Sequence, residues 1–306
     1  MAITSLHCEV HEASLLLSVR ACFHIHLISK NLINKTTAKA ALTQIISVTL
    51  QRMEAKDAEL THEKPAASSY EETTTSSNAP FSESSAVSVE ADIQNPDPIK
   101  SGEDSIGNGS VNAVSGATTN QQGATLLFPS VLHKDAYLLF RALCKLSMKG
   151  LSEETQYAHN DAIPLQNKIL SLELILHILN NSGSAFRTEE KFIYAVRTYL
   201  CVSLLSNCTS HVAQVTGLSL QIFVVLMEHF KDHLKHEVEV FVSNIFLRML
   251  ESENSTYDHK FRVLEVFLTI CRDPKAQVEI FMNYDCDLEA INLFSRIVHG
   301  LAKIAK

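Results

Sequence analysis

The sequence predicts an all-α protein, a solenoid of paired helices that is interrupted by a disordered acidic linker. Apolar residues on both sides of the linker recur with a helical period, and strand-type alternation is not found in the sequence. Successive helix starts are separated by about 22 to 24 residues, so helix pairs recur at about 45 residues, the spacing of armadillo and HEAT-like arrays. These starts lie near residues 164, 188, 211, 235 and 257.

Composition and charge indicate the linker. Residues 55–125 hold eleven acidic and three basic residues, which accounts for the whole net charge of −8. They also contain four of the seven prolines and five of the nine glycines. Such a segment cannot bury enough apolar surface to offset its ordering entropy. We therefore divide the chain into a helical segment (residues 1–54), a disordered acidic linker (55–125) and a second helical domain (126–306).

The helix before the linker is indicated by one apolar stripe. Ala41, Ile45 and Leu50 follow helical spacing. Thr36 or Thr37 is expected to cap the start of this helix, because a hydroxyl oxygen can accept a backbone N–H of the first turn.

The helices after the linker are indicated by stripes and by their ends. The helix that begins near Lys134 should stop at Gly150, and Pro164 suits the first turn of the next helix. Thr188 is expected to cap the helix that follows. The remaining helices are expected over residues 211–231, 235–251, 257–272 and 288–304.

The bulk composition restricts the function classes. The cysteines are scattered without a Cys-x-x-Cys pair and no secretory signal is found, so reduced thiols in the cytoplasm are expected. No apolar run reaches the ~18–20 residues that span a bilayer. The acidic net charge disfavours nucleic acid as a binding partner.

Two histidine sets have spacing that resembles metal ligands. They are His7 with His11, and His229 with His233 and His236, the second set on one expected helical edge. A zinc site needs three or four converging ligands, so a polar solvent-facing edge is the favoured interpretation and no metal or cofactor is expected. Catalysis by a Cys–His pair is disfavoured as well, because nearly all the cysteines lie in apolar helical patterns or beside helix ends. A hydrolase or metalloenzyme remains an alternative.

The pentapeptide Asn283, Tyr284, Asp285, Cys286 and Asp287 separates two predicted helices with polar residues. Asp285 or Asp287 can cap the helix that follows. Because one carboxylate suffices for a cap, we expect Asp287 to be chiefly structural, and Asn283, Tyr284 and Asp285 to dock against another domain. We call residues 283–287 the box.

The box lies in segment 281–298, which closely resembles the signature of the domain named for its homology upstream of the catalytic domain in the large Golgi Arf guanine-nucleotide exchange factors. The copy is most similar to the brefeldin A-inhibited subfamily. Segment 134–149 resembles the opening of the same domain, and segment 30–40 is similar to the end of the amino-terminal dimerisation and cyclophilin-binding domain. Two further segments also fit the family, 186–192 and 199–204.

The resemblance implies a regulatory region that acts through protein contacts. In the family the two helical domains contact each other and the catalytic exchange domain, Arf-family small GTPases are partners of the parent protein, and a homodimer is possible. Peripheral association with Golgi and trans-Golgi membranes is implied too. The chain is expected to begin inside the amino-terminal domain and to stop before the catalytic one.

The exchange activity of the family is not expected in this chain. The motif Phe-Arg-Leu-Pro-Gly-Glu-Ala, whose glutamate expels the nucleotide from Arf in the family, does not occur in the sequence. A free-standing armadillo-like adaptor that is unrelated to nucleotide exchange is the second interpretation.

Limited proteolysis tests the division of the chain. We expect the first cleavages within residues 55–125, because exposed segments rich in small and polar residues are preferred protease sites. The product should be a stable carboxy-terminal helical fragment, identified by mass spectrometry. Early cleavage within residues 126–306, with 55–125 protected, would contradict the division.

Overall fold

A computed structural model describes residues 5, 10–62, 127–150 and 163–305. All regular structure in these ranges is helical, which confirms the predicted all-α fold. Most of the predicted linker, residues 63–125, lies outside the described residues, as does His7. None of the described helices is both long enough and apolar enough to cross a membrane.

The described helices fall into two sets, which we call the amino-terminal pair and the array. The pair consists of α1 (Glu12–Ile28) and α2 (Leu32–His62). The array begins with α3 (Val131–Met148), α4 (Ile163–Asn181), α5 (Ser184–Thr188), α6 (Glu190–Ala195) and α7 (Val202–Asn207). It continues with α8 (Ala213–His229), α9 (Lys235–Val240), α10 (Leu247–Glu251), α11 (Tyr257–Arg272), α12 (Pro274–Ile280) and α13 (Leu293–Ile304).

Three π-helical segments interrupt the array. The segment π1 (Val196–Cys201) joins α6 to α7, π2 (Phe241–Phe246) joins α9 to α10, and π3 (Phe281–Asp285) follows α12. Each therefore lies in a different member of the array, alternating with the uninterrupted helices α8, α11 and α13. Such turns are rare and occur often at functional positions.

The predicted cap of α2 is wrong. This helix begins at Leu32, and the side chain of Asn31 accepts the N–H of Ile33 at 2.9 Å. Thr36 and Thr37 lie inside the helix, where the Thr36 hydroxyl donates to the carbonyl of Leu32. At its other end α2 continues to His62, beyond residue 54 where the sequence analysis placed the boundary.

The cap predicted at Thr188 is also wrong, although Pro164 does lie in the first turn of α4. Thr188 is the last residue of the short helix α5, and its hydroxyl donates to the carbonyl of Ser184 at 2.9 Å. The next helix, α6, begins at Glu190 without a side-chain cap.

Two further differences concern the second half of the array. A 3₁₀ segment (Lys231–His233) separates α8 from α9, so the three histidines of the second set do not share one helical edge as predicted. Helix α12 was not predicted; it starts at Pro274, and the Asp273 side chain accepts the N–H of Lys275. The last helix begins at Leu293 instead of residue 288.

Packing within the array is continuous from helix to helix. Helix α3 packs on α4, α4 packs on α8, and α8 packs on α11. Aromatic rings join successive layers: Phe186 contacts Phe140, Phe192 and Phe230 with ring centroids 4.4–6.3 Å apart. Pairs of this kind add about 0.5–1.5 kcal/mol beyond the area that they bury. Eight phenylalanines are fully buried: Phe140, Phe186, Phe192, Phe223, Phe230, Phe241, Phe246 and Phe267.

A buried polar cluster holds α3, α4 and α7 together. The Lys168 ammonium donates to the Ser147 carbonyl at 2.9 Å and to the Asn207 side-chain oxygen at 2.7 Å. The Asn207 amide donates to the Ser147 carbonyl and to the Ser203 hydroxyl. Burial lowers the pKa of Lys168, so its charged form is disfavoured in the folded state. Two N–H groups of the ammonium and the Asn207 amide nevertheless donate to acceptors within the cluster, as buried polar groups require.

Replacing Lys168 with Met tests this cluster. The side-chain oxygen of Asn207 then loses its partner, and we expect the free energy of unfolding to fall by about 1–3 kcal/mol. Chemical denaturation measures the change. Lys30→Met, in the exposed turn between α1 and α2, is the matched control and should change it little.

The pH dependence follows from the lowered pKa. Between the lowered pKa of Lys168 in the folded state and the usual pKa of lysine in the unfolded chain, the unfolded chain binds more protons than the folded one. The contribution of Lys168 to the free energy of unfolding therefore increases with pH. The difference between wild type and Lys168→Met should therefore grow as the pH rises through this window. Equal losses in the two variants, or a difference independent of pH, would contradict the assignment.

Candidate functional site: the pair–array contact and the box

The amino-terminal pair packs directly on the array. Helix α1 contacts α3 and α4, and α2 contacts α3, α4 and α5. Leu42, Ile46 and Met53 of α2 are fully buried and belong to the same apolar core as the array. Burying each such side chain is worth about 1.5–3 kcal/mol. The described residues of the pair and the array therefore share one core.

Glu54 of α2 caps a helix of the array. Its carboxylate accepts the backbone N–H groups of Gly183, Ala185 and Phe186 at 3.0, 3.0 and 3.1 Å. Gly183 has no side chain to cap α5 itself, and a Cβ atom at this position would overlap the Glu54 carboxylate. A carboxylate beside a helix start is also favoured by the helix dipole. The cap thus fixes the register of α2 against the start of α5.

Asp135 of α3, in turn, accepts a backbone N–H at the start of α1. Its two carboxylate oxygens contact the backbone N–H of Glu12 and the Nδ1 atom of His11, each at 2.6 Å. Glu12 has a φ of 49°, a left-handed conformation that costs free energy for this residue type. Lys134 forms an ion pair with the Glu12 carboxylate at 2.6 Å. The neighbouring residues Lys134 and Asp135 thereby hold the start of α1 against α3.

Two polar contacts join the middle of α2 to α4. Lys39 forms an ion pair with Glu173 at 2.7 Å, and the Ser47 hydroxyl lies 2.9 Å from Nε2 of His177. Burial lowers the pKa of His177, which favours the neutral ring. The Asn181 amide lies 3.3 Å from its Nδ1 atom, so the tautomer with hydrogen on Nε2, donating to Ser47, satisfies both contacts.

The residues of this pair–array contact were not predicted from the sequence. Neither Glu54 nor Asp135 was selected, although Asp135 lies in the segment 134–149 on which the resemblance rests. A signal was present at α5, whose start at Gly183 offers no capping side chain. Such a start implies that the acceptor comes from elsewhere in the fold.

Asp285, and not Asp287, caps the helix that follows the box. Its carboxylate accepts the N–H groups of Phe294 and Ser295 at 2.7 and 3.0 Å, at the start of α13. Asp287 instead accepts the N–H of Glu289 and forms an ion pair with Lys235 at 2.6 Å. The hydrogen bond from Lys235 lowers the pKa of Asp287.

Tyr284 is engaged inside the array as well. Its ring is buried, and its hydroxyl donates to the carbonyl of Lys235 at 2.8 Å. Burial raises the pKa of Tyr284, so the hydroxyl stays protonated as a donor. Asp287 is held by internal contacts as expected, but Tyr284 and Asp285, which were expected to dock, also hold the second half of the array together.

Asn283 and Cys286 are the exposed members of the box. Asn283 lines a cavity of about 300 Å³ between the end of α8 and α12. Lysines 231 and 235 border this cavity, but both are paired with carboxylates, Glu279 and Asp287. The floor is apolar and includes Met227, Val238 and Ile280. A cavity with an apolar floor and one exposed amide is suited to a side chain of a protein partner.

The buried cysteines are not suited to nucleophilic chemistry. Burial raises the pKa of Cys201 to about 12, and it raises the pKa values of Cys144 and Cys208 in the same direction. A protonated, enclosed thiol is a poor nucleophile. Within the described ranges no group of three or more His, Cys, Asp or Glu side chains is arranged to hold a metal ion.

The chain matches two models of known protein families. Residues 132–293 match the family model of the Mon2/Sec7/BIG1-like HUS domain, and residues 1–57 match that of the Mon2/Sec7/BIG1-like dimerisation and cyclophilin-binding domain. The chain is 33% identical over 435 residues to brefeldin A-inhibited guanine nucleotide-exchange protein 1 of Rattus norvegicus, an alignment that covers all of the chain and 23% of the relative.

Other relatives give the same result. The human protein of that name is 32% identical over the whole chain, which spans 24% of its length. Brefeldin A-inhibited guanine nucleotide-exchange protein 2 of Arabidopsis thaliana is 33% identical, again over the whole chain and 20% of its own length. The chain thus spans about a quarter or less of these relatives.

The fold defines the class of protein as a helical array packed on a helical pair. Carboxylates of each of these two sets accept backbone N–H groups at a helix start of the other. The chain belongs to the Mon2/Sec7/BIG1-like family. The resemblance drawn from the sequence is confirmed.

The cap supplied by Glu54 can be tested by substitution. Glu54→Ala leaves the N–H groups of Gly183, Ala185 and Phe186 without their acceptor, and we expect the free energy of unfolding to fall by about 1–3 kcal/mol. Amide hydrogen exchange at Ala185 and Phe186 should accelerate. Glu59→Ala is the matched control, since the one ion pair of this exposed residue within the described part of the chain is a surface pair with Lys56; it should cost less than about 1 kcal/mol. Equal effects of the two variants would refute the cap.

Proposed function

We propose that the chain is a non-catalytic regulatory and protein-interaction region of an Arf guanine-nucleotide exchange factor that acts in Golgi vesicle traffic. In this role it controls membrane recruitment and the catalytic exchange domain, and it works at the cytoplasmic face of Golgi and trans-Golgi membranes. Residues 1–54, 55–125 and 126–306 would serve as the end of a dimerisation and cyclophilin-binding domain, an acidic linker and the upstream helical domain. Partners would be the catalytic domain, Arf GTPases through the parent protein, and a second copy.

The observation that carries this proposal is the reciprocal capping between the pair and the array. Glu54 completes a helix of the array, and Asp135 completes a helix of the pair. Two segments that match different domain models are thereby held in one orientation. A rigid unit of this kind suits a region that positions another domain, because a contact made at one end has a defined geometry relative to the other end.

The box would supply the contact to the catalytic domain. Asn283 is exposed beside the apolar-floored cavity, and its side chain forms no hydrogen bond with other described residues. Its amide can donate to and accept from the backbone of a partner while an apolar side chain of that partner fills the cavity. Tyr284 and Asp285 would hold this surface in shape from within.

Paired measurements on two variants test the docking role. Asp285→Ala removes the cap of α13 and should lower stability by about 0.5–2 kcal/mol. Asn283→Ala should leave the thermal transition almost unchanged, yet weaken binding to the catalytic domain of the human relative supplied in trans. Binding is measured by titration calorimetry, and nucleotide release from Arf is followed in the same mixtures. Lys275→Ala, exposed on α12, is the control.

Two outcomes would count against the proposal. If binding losses follow stability losses in every variant, the box is only a structural element. If the chain alone accelerates nucleotide release from Arf, the non-catalytic assignment is wrong.

A further inference from the structure

One stripe of α3 is basic and apolar, partly buried at Leu138 and Arg141 and exposed at Lys145 and Met148. Lys134, Leu138, Arg141, Lys145 and Met148 follow the i, i+4, i+7, i+11, i+14 spacing of one helical face. The only acidic residue of α3 is Asp135, which is buried against His11 on another face. Lys134 is neutralised by Glu12. Arg141 and Lys145 form no ion pair with any described residue.

Both unpaired cations lie over one aromatic ring of the neighbouring helix. The Arg141 guanidinium is 5.3 Å and the Lys145 ammonium 5.9 Å from the centroid of the Tyr199 ring. Tyr199 belongs to the segment π1, which packs beside α3. Each cation is thus within the range of a cation–π contact to the same ring, and the neutral ring leaves both charges without a counter-anion.

The guanidinium of Arg141 also has an unused donor. Its Nε atom is buried and has no hydrogen-bond partner among the described residues. A buried donor that is left unsatisfied costs about 1–3 kcal/mol. Because this atom is enclosed, an anion from solvent would meet the terminal N–H groups of the guanidinium instead, whose planar fork matches the paired oxygens of a phosphate.

Exposed apolar and aromatic side chains lie on the same helical elements as these cations and Tyr199. Tyr194 is 53% exposed, Val202 46% and Met148 39%. Tyr194 and Val202 lie on the helix that carries Tyr199, and Met148 lies one turn after Lys145 on α3. Exposed side chains of this composition, on the elements that carry the unpaired cations, suit the boundary between headgroups and acyl chains, where Tyr and long aliphatic side chains are favoured.

We propose that Arg141, Lys145 and Tyr199 form a binding site for the phosphate monoester of an anionic lipid headgroup, with Tyr194, Val202 and Met148 as the part that enters the membrane surface. The inference rests on the proposed function, since it assigns residues to the peripheral membrane contact of the regulatory region. The phosphate accepts from Arg141 and Lys145, and the exposed apolar side chains add affinity that a soluble phosphate compound does not gain.

Vesicle co-sedimentation of the full chain tests the site. The vesicles are phosphatidylcholine alone, phosphatidylcholine with phosphatidylserine, and phosphatidylcholine with a phosphoinositide monophosphate at matched surface charge. Wild type should bind the phosphoinositide vesicles most tightly. Arg141→Gln and Lys145→Gln should each weaken this binding by roughly fivefold, because one basic residue near an anionic surface contributes about that factor.

Matched variants separate a site from general attraction. Lys275→Gln removes the same charge from exposed α12 and should leave binding unchanged. Arg141→Lys keeps the charge and loses the fork, so it should reduce binding to phosphoinositide vesicles and spare binding to phosphatidylserine vesicles. A soluble inositol phosphate should compete only weakly if the exposed apolar side chains contribute. Lys145 is exposed, so Lys145→Gln remains informative even if Arg141→Gln unfolds the chain.

The negative outcomes are distinguishable. If wild type binds phosphoinositide vesicles and Lys145→Gln binds as well as wild type, the site assignment is overturned and membrane recruitment by this region stands. An equal loss with Lys275→Gln also overturns the site, since it indicates diffuse charge attraction. Full displacement by the soluble inositol phosphate would overturn the lipid source. If wild type binds no vesicle, the membrane part of the proposed function fails together with the site.

Discussion

The carboxylate of Glu54 is the contact on which the arrangement of the helices depends. Helix α5 is only five residues long and cannot persist alone, because the first N–H groups of a helix have no partner within it. Glu54 accepts the N–H of Gly183, which precedes the helix, and two N–H groups within it. One belongs to Phe186, whose ring contacts Phe140, Phe192 and Phe230 of three neighbouring elements. A single side chain of α2 therefore sets the position of the aromatic centre of the array.

The box illustrates the same use of carboxylates within the array. Asp285 caps α13 from nine residues upstream, and the Tyr284 hydroxyl holds the start of α9 through the carbonyl of Lys235. Asp287 pairs with the ammonium of that same lysine. Tyr284 and Asp285, two of the three residues that were expected to dock against another domain, are thus engaged in internal contacts. What remains for a partner is the amide of Asn283 beside an apolar-floored cavity.

The helices could be predicted from the sequence because apolar spacing is local, and the expected starts of α4, α8, α9 and α11 lie within two residues of those observed. The caps could not, because in this chain the acceptor often comes from a distant segment. Thr36, Thr37 and Thr188 fit the local pattern for a cap, but they lie inside a helix or at its end. The hydroxyls of Thr36 and Thr188 donate to carbonyls of their own helices. Glu54 and Asp135 lie more than a hundred residues from the groups that they accept. Local patterns also missed α12, whose short apolar run follows a proline.

Apolar burial and polar capping make different contributions to the pair–array contact. Leu42, Ile46 and Met53 together are worth several kcal/mol at about 1.5–3 kcal/mol each, so burial supplies most of the attraction. Burial is not directional, however, and would tolerate small shifts of α2 along the array. The carboxylates do not tolerate such shifts, because a shift would break the hydrogen bonds that Glu54 and Asp135 accept. Each carboxylate left buried without its donors costs about 1–3 kcal/mol. The apolar residues therefore hold the two segments together, while the reciprocal caps determine the single register in which they are held.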